Sequence, residues 1–138
     1  ELEPIYRAHY GEMKSRLAAD GMPIGDFAPR YDKYSEACDN GWLFHFVLRL
    51  SGVAVGYGNV YVSHDMHNGE LIAREDAIYV VPEHRKGVGK AATQQVMAYL
   101  RGMGVKRLHV TAMTDLRVAK LWERMGFRHT AHAMTYFF

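Results

Sequence analysis

The chain has a single cysteine, Cys38, in 138 residues, so it holds no internal disulfide, and that usage suits a reducing compartment such as the cytoplasm. No apolar run approaches the ~18 to 20 residues of a membrane span, and no signal peptide is visible, so no membrane association is expected. No charge of one sign dominates: 17 basic and 15 acidic side chains give +2. That balance is no nucleic-acid footprint by itself, although an isoelectric point of about 8.7 leaves room for a basic patch. Arg101, Lys106 and Arg107 would form one, but they read more simply as a solvated face, so a nucleic-acid partner is not favoured. What remains is ordinary globular composition, 49% apolar and 23% charged, in one domain over residues 1–138, large enough for a real core.

The stretch that organises the rest runs from Glu75 to Met103. Ala77 to Val81 is a short apolar run closed by Pro82, which has no N–H for a ladder and ends a strand. Val88, Ala92, Val96, Tyr99, Leu100 and Met103 then recur at helical spacing, which predicts an amphipathic helix over 88–103. Between strand and helix lie Arg85, Lys86, Gly87, Val88, Gly89 and Lys90. Two glycines allow a tight turn and close backbone approach. The helix that follows offers free N–H groups and the positive end of its dipole. Such a loop suits a phosphate or pyrophosphate, though a bare Gly-x-Gly is more often only a turn. A P-loop would need Ser or Thr after Lys90, where Ala91 stands. A dinucleotide fingerprint would need an acidic strand end about 20 residues on, and none stands there.

Val80-Val81-Pro82-Glu83-His84-Arg85-Lys86-Gly87-Val88-Gly89 resembles the acetyl-CoA signature of the GNAT superfamily of N-acetyltransferases. Asp115-Leu116-Arg117-Val118-Ala119-Lys120-Leu121-Trp122-Glu123-Arg124-Met125-Gly126-Phe127 resembles that family's second motif, a helix ending in Gly-Phe. The two stand in the family's order, and the resemblance covers roughly residues 42–138.

Periodicity fills in the rest. Tyr6, Tyr10, Met13 and Leu17 stripe a helix over 5–19. Residues 21–30 form a loop rich in Gly and Pro, and Tyr31 to Asp39 form a second, short helix. Trp42 to Leu50 alternates, with Trp42, Phe44, Phe46, Leu48 and Leu50 on one face and His45 and Arg49 on the other. Ser51-Gly52 turns the chain into Val53 to Ser63, with Val53, Val55, Tyr57, Asn59 and Tyr61 on one face. Gly56 and Gly58 lie on the other, where a bulge or another backbone would fit. A third strand runs from about Leu71 to Val81, a fourth over 106–112, a last helix from Asp115 to Met125 with Asp115 as N-cap, and strand material over 127–138. The order α-α-β-β-β-α-β-α-β makes an α/β (mixed α+β) fold: a mixed, mostly antiparallel sheet with helices on both faces. The unit 71–112 is a right-handed crossover whose two strands are parallel. His64, Asp65 and His67 in the polar 64–70 connection make a weak metal set, and no metal is expected.

The resemblance implies an acetyl-CoA-dependent N-acetyltransferase acting on a small-molecule or peptide amine. In it, main-chain amides of the central strand, here Tyr79, Val80 and Val81, hold the pantetheine and polarise the thioester carbonyl. The loop His84, Arg85, Lys86, Gly87, Val88, Gly89 and Lys90 takes the pyrophosphate. A carboxylate on the central strand serves as base. Glu75 and Asp76 are adjacent and point to opposite faces, and counting back from Pro82 favours Asp76. Asp115 and Trp122 fall at further cofactor positions, and Met22, Pro23, Phe27 and Tyr31 fall at the acceptor cleft, where plain packing is the simpler reading. The sequence departs from the family in three ways. His84 stands three residues before Gly87, where Arg or Gln is usual, and Arg85 only two before, so the loop reads as one residue short. Trp122 stands where a tyrosine acid is common, and an indole N–H is no useful acid; Asp115 stands where asparagine is common. The segment after Gly126 suits one strand where the family has two, or a sheet completed by a second subunit. A non-catalytic CoA-binding module and a nucleic-acid-modifying transferase are the alternatives.

Overall fold

The computed structural model describes residues 1–113, 116–136 and 138. The N-cap and cofactor roles expected of Asp115 lie outside these residues.

Helix α1 spans Glu3–Ala19, with Pro4 in its first turn, where the missing N–H costs no helical bond. Glu3 at its start and Arg16 near its end oppose the helix dipole. It stops at Asp20 and Gly21, whose φ of 73° lets the chain reverse. Helix α2 spans Tyr31–Asp39 and has no buried residue; it serves as a wall rather than as core. Strand β1 (Leu43–Leu50) turns through Ser51 and Gly52, both at positive φ, into β2 (Val53–His64). That is the turn geometry that matches strand twist. Strand β3 spans Leu71–Val80, helix α3 spans Arg85–Gly102, strand β4 spans Arg107–His109, and helix α4 spans Leu116–Arg124.

The sheet order is β1-β2-β3-β4. The first two pairings are antiparallel, and β3–β4 is parallel across the α3 crossover, as expected. α3 covers one face, where Leu100 packs with Val60, Val62 and Ala73, and Val96 and Met103 lean on them. Ile5 of α1 packs on Tyr57 and Tyr79, giving the other face its cover. Burying side chains of this size stabilises by roughly 1.5–3 kcal/mol each.

The alternation expected of β1 holds in its middle, where Phe44 and Phe46 lean on the α3 core, and fails at its ends. Trp42 precedes the strand and is 61% exposed, and Leu50 sits beside the turn, also exposed. Gly56 is where two backbones meet: a Cβ there would lie 2.3 Å from the Tyr79 carbonyl oxygen. A bulge adjoins it, with Leu48 paired to Gly56 and Arg49 to Ala54 so that Val55 is extra, and a second lies in β3. Asn59 pairs with Ala77 and Val60 with Glu75, so Asp76 is an extra residue with no partner across.

Two expected strands differ. β4 is three residues long rather than the seven of 106–112. Its ladder with β3 stops at Arg74–His109, after which the Glu75 side chain takes the Thr111 N–H at 3.1 Å. None of the described residues of 127–138 lies in a strand. The edge available to them is the short β4, which offers few ladder bonds, and Met134, Tyr136 and Phe138 stand exposed. None of the described helices is long and apolar enough to cross a membrane.

Candidate active site

α1, α2 and the loop between them form a roof over the sheet face that α3 does not cover. Beneath it lies a cavity of about 760 Å³. Phe27 and Tyr31, expected at an acceptor cleft, are in its wall, and Met22 and Pro23 are not. Tyr6, His9, Tyr34 and His45 are in it as well, and none of them was singled out for this place. The signal existed for Tyr6, on the α1 stripe, and for His45, opposite the apolar face of β1. The partners they meet lie 39 and 14 residues away along the chain, which local patterning does not reach.

The two adjacent carboxylates part company at the bulge. Asp76 opens into the cavity. It accepts from Asn59 Nδ2 at 3.4 Å and from the Tyr34 hydroxyl, and among the described residues it has no ion-pair partner. Asn59 is buried, and its Oδ1 lies 2.6 Å from His45 Nδ1. With Nδ2 turned to Asp76, Oδ1 must accept, so His45 carries its hydrogen on Nδ1. His45 Nε2 then faces the Tyr6 hydroxyl at 3.3 Å. A four-residue chain, Asp76–Asn59–His45–Tyr6, therefore runs along the cavity floor. Beside it, His9 Nδ1 and the Tyr57 hydroxyl lie 2.6 Å apart, and His9 stacks on Tyr79. Burial lowers the His9 pKa, outweighing the pull of Glu12 and Asp76, and burial raises the Tyr57 pKa.

Glu75 points away from the cavity. Its Oε2 accepts from the Thr111 N–H and from the Thr111 hydroxyl at 3.2 Å. Burial pushes its carboxyl above the ordinary 4.5, against the Thr111 bonds. Trp122, 6% exposed, donates its indole N–H to the Thr111 carbonyl at 3.2 Å and packs on Phe127. Its N–H is therefore committed to the backbone.

The far end of β3 is open on one side. The Val81 N–H donates to the Val55 carbonyl at 2.9 Å, so by the antiparallel alternation the backbone groups of Ile78 and Val80 point away from β2. β4 stops short of them. Arg85 turns back rather than outward: its Nε donates to the Val80 carbonyl at 2.8 Å, and its guanidinium holds both Glu12 oxygens at 2.7 and 2.8 Å. Glu12 also accepts from the Tyr79 hydroxyl at 2.7 Å. Burial pushes the Glu12 carboxyl up, but these two donors outweigh it and hold it below its ordinary value. Burial and Glu12 push the Tyr79 hydroxyl up to about 12. The loop kinks at Lys86 (ψ 88°) and Gly87 (φ 86°), so regular helix starts at Val88, as the periodicity predicts. Lys86 and Lys90 are exposed and have no ion pair among the described residues, His84 is half-buried, and Gly89 lies against Val80.

Asp65 is held by Arg107 and by the His67 N–H, and His64 Nδ1 lies 3.0 Å from the Gly69 carbonyl. Among the described residues no group of three His, Cys, Asp or Glu could hold a metal ion.

The chain resembles known proteins in this frame. A ribosomal-protein-alanine N-acetyltransferase from Brucella melitensis biovar Abortus 2308 superposes with a TM-score of 0.65 at 20% identity, over 80% of this chain and 82% of that one. An aminoglycoside acetyltransferase, meta-AAC0020, from an uncultured soil metagenomic sample, in complex with sisomicin, gives 0.65 at 18% identity, over 88% and 80%. AAC(6')-Iy in complex with the bisubstrate analog CoA-S-monomethyl-acetylneamine gives 0.64 at 22%, over 78% and 79%. At these identities the likeness is one of fold. No curated protein sequence matches the chain. The model of the Acetyltransferase (GNAT) family matches residues 12–127, from the Glu12 that clamps Arg85 to the Phe127 that packs on Trp122, and the chain belongs to that family.

Proposed function

We propose that the protein is an acetyl-CoA-dependent N-acetyltransferase that acts in the cytoplasm on a primary amine of a small molecule or peptide, by direct attack in a ternary complex. The observation that carries this reading is Asp76. It is a carboxylate without an ion-pair partner among the described residues, at a bulge, with the ring-lined cavity on one side and the open edge of β3 just beyond it.

The residues present fit acetyl-CoA. Of the Tyr79, Val80 and Val81 amides expected to hold the pantetheine, the Val81 N–H is taken by Val55, and Tyr79 points to β2 as well. That leaves the Val80 N–H, with Ile78 beside it, facing an edge that no strand among the described residues covers; the Val80 carbonyl is held by Arg85. Gly87, in a conformation that suits glycine, leads into the helix that starts at Val88, with Lys86 and Lys90 on either side, which suits a pyrophosphate. Arg85 fits this role less well, because it clamps Glu12. When bound, acetyl-CoA supplies an acetyl group already activated as a thioester.

The protein's part is then largely positioning. Asp76 holds the acceptor ammonium and takes the proton that must leave before the nitrogen can attack, directly or through one water. Asn59 orients Asp76, and His45 orients Asn59. α1, locked to the end of β3 by the Glu12–Arg85 and Glu12–Tyr79 bonds, keeps the roof over the reacting groups. One observation favours a non-catalytic CoA-binding module: the Trp122 N–H serves the Thr111 carbonyl, so no acid stands at that position.

Isothermal titration with acetyl-CoA, beside a Gly87→Glu/Gly89→Glu double variant, tests the cofactor. Saturable binding lost in the double variant is expected, followed by amine-dependent thiol release. Binding without thiol release across an amine panel would move the assignment to the binding module. The absence of binding would remove acetyl-CoA from it.

A further inference from the structure

The cavity wall says more about the acceptor than that it is an amine. Six aromatic rings line it: Tyr6, Tyr10, Phe27, Tyr31, Tyr34 and Tyr57. All five tyrosine hydroxyls have partners in the protein. Tyr6 meets His45, Tyr10 donates to the Gly25 carbonyl at 2.6 Å, Tyr31 donates to Glu3, and Tyr57 meets His9. The fifth, Tyr34, donates to Asp76 itself. The wall therefore offers ring surface and few free hydrogen-bonding groups.

Its charges are similarly reduced. Asp26 is paired with Lys14 at 2.5 Å and Arg30 with Asp32 at 2.6 Å, and no lysine is in the wall. That leaves Asp76 and Asp39 as the carboxylates without an ion-pair partner among the described residues. A polyhydroxylated polycation needs one acceptor for each ammonium and many donors and acceptors for its hydroxyls. A single ammonium on a flat apolar body needs a carboxylate at the reacting end, where Asp76 stands at the bulge, and aromatic surface beside it, where ring faces also attract the cation.

We infer that the acceptor is a primary amine carried on an aromatic or apolar body, an aralkylamine in chemical class. The inference rests on the acetyltransferase reading for its chemistry, but the binding it requires is measurable without turnover. Titration of the full chain with 2-phenylethylamine, kanamycin, spermidine and an alanine-terminal peptide tests it, with thiol release from acetyl-CoA measured for each. The expected result is that 2-phenylethylamine binds at least about tenfold more tightly than the other three, and that Asp76→Asn and Tyr34→Leu each weaken it by about fivefold or more with unchanged melting temperature. Kanamycin, spermidine or the peptide binding as tightly or more tightly overturns it, as does Asp76→Asn binding 2-phenylethylamine like the parent. Thiol release with one of those three alone overturns it while leaving the acetyltransferase reading standing. Tight, Asp76-dependent 2-phenylethylamine binding without thiol release from any amine supports the cavity's selectivity and removes the acetyltransferase reading.

Discussion

Glu75 and Asp76 are neighbours on one strand, yet they belong to two different regions of the molecule. On the Glu75 side the chain is closed: its carboxylate holds Thr111, Thr111 holds Trp122, and the three tie β3 to the segment after β4 and to α4. On the Asp76 side the chain is open: the carboxylate has a long bond from Asn59, the Tyr34 hydroxyl beside it and a cavity in front of it. The residue types are nearly the same; adjacency on β3 turns them to opposite faces, and the extra residue at the bulge leaves Asp76 without a partner across in β2. A carboxylate's role here is set by whether its oxygens face a closed seam or a cavity.

If the closed side is structural, breaking it costs folding. Trp122→Ala removes a buried indole and the Thr111 bond, and should lower unfolding free energy by about 3–5 kcal/mol in urea titration. If the open side is chemical, breaking it costs rate. Asp76→Asn should lower kcat/KM by about 10²–10³-fold, with a urea midpoint within that of an ordinary surface change.

Glu75→Ala sharpens the contrast, because it leaves the Thr111 N–H without its acceptor and should destabilise by about 1–3 kcal/mol. Glu75→Gln keeps an acceptor and removes a charge that burial disfavours. The folded pKa of Glu75 lies above its ordinary 4.5, so its contribution to stability is full below that value and is lost as pH rises through the raised one. The Gln variant lacks this loss, so thermal melts should show it gaining on the parent as pH rises from 4.5 towards neutrality. The smallest effect is expected at the kink. Gly87→Ala places a side chain at φ 86°, in open space, and should cost about 1 kcal/mol in the same titration.

Much of this was legible in the sequence. The helices at 31–39 and 88–103, the hairpin at Ser51–Gly52 and the parallel crossover follow from periodicity, turn residues and chain direction, which are local or nearly so. The placement of Asp76 toward the cavity and Glu75 away from it follows from adjacency on a strand. What was not legible depends on partners. The short β4 depends on where Glu75 competes for Thr111. The strand material after Gly126 needs an edge to become a strand, and β4 supplies little. Arg85 reads as a phosphate cation until Glu12, 73 residues earlier, takes it. The floor chain from Asp76 to Tyr6 joins three strands and a helix, and its members are unremarkable one at a time.

The most direct test sets the two neighbours against each other in one assay. Thiol release from acetyl-CoA is measured with 2-phenylethylamine, or with whichever amine of the panel turns over, for the parent, Asp76→Asn and Glu75→Gln, alongside their melting temperatures. The account predicts a loss of about 10²-fold or more in kcat/KM for Asp76→Asn at unchanged stability, and a value within about threefold of the parent for Glu75→Gln. Equal losses in both variants, or a larger loss for Glu75→Gln, would contradict the division of the two carboxylates between chemistry and structure.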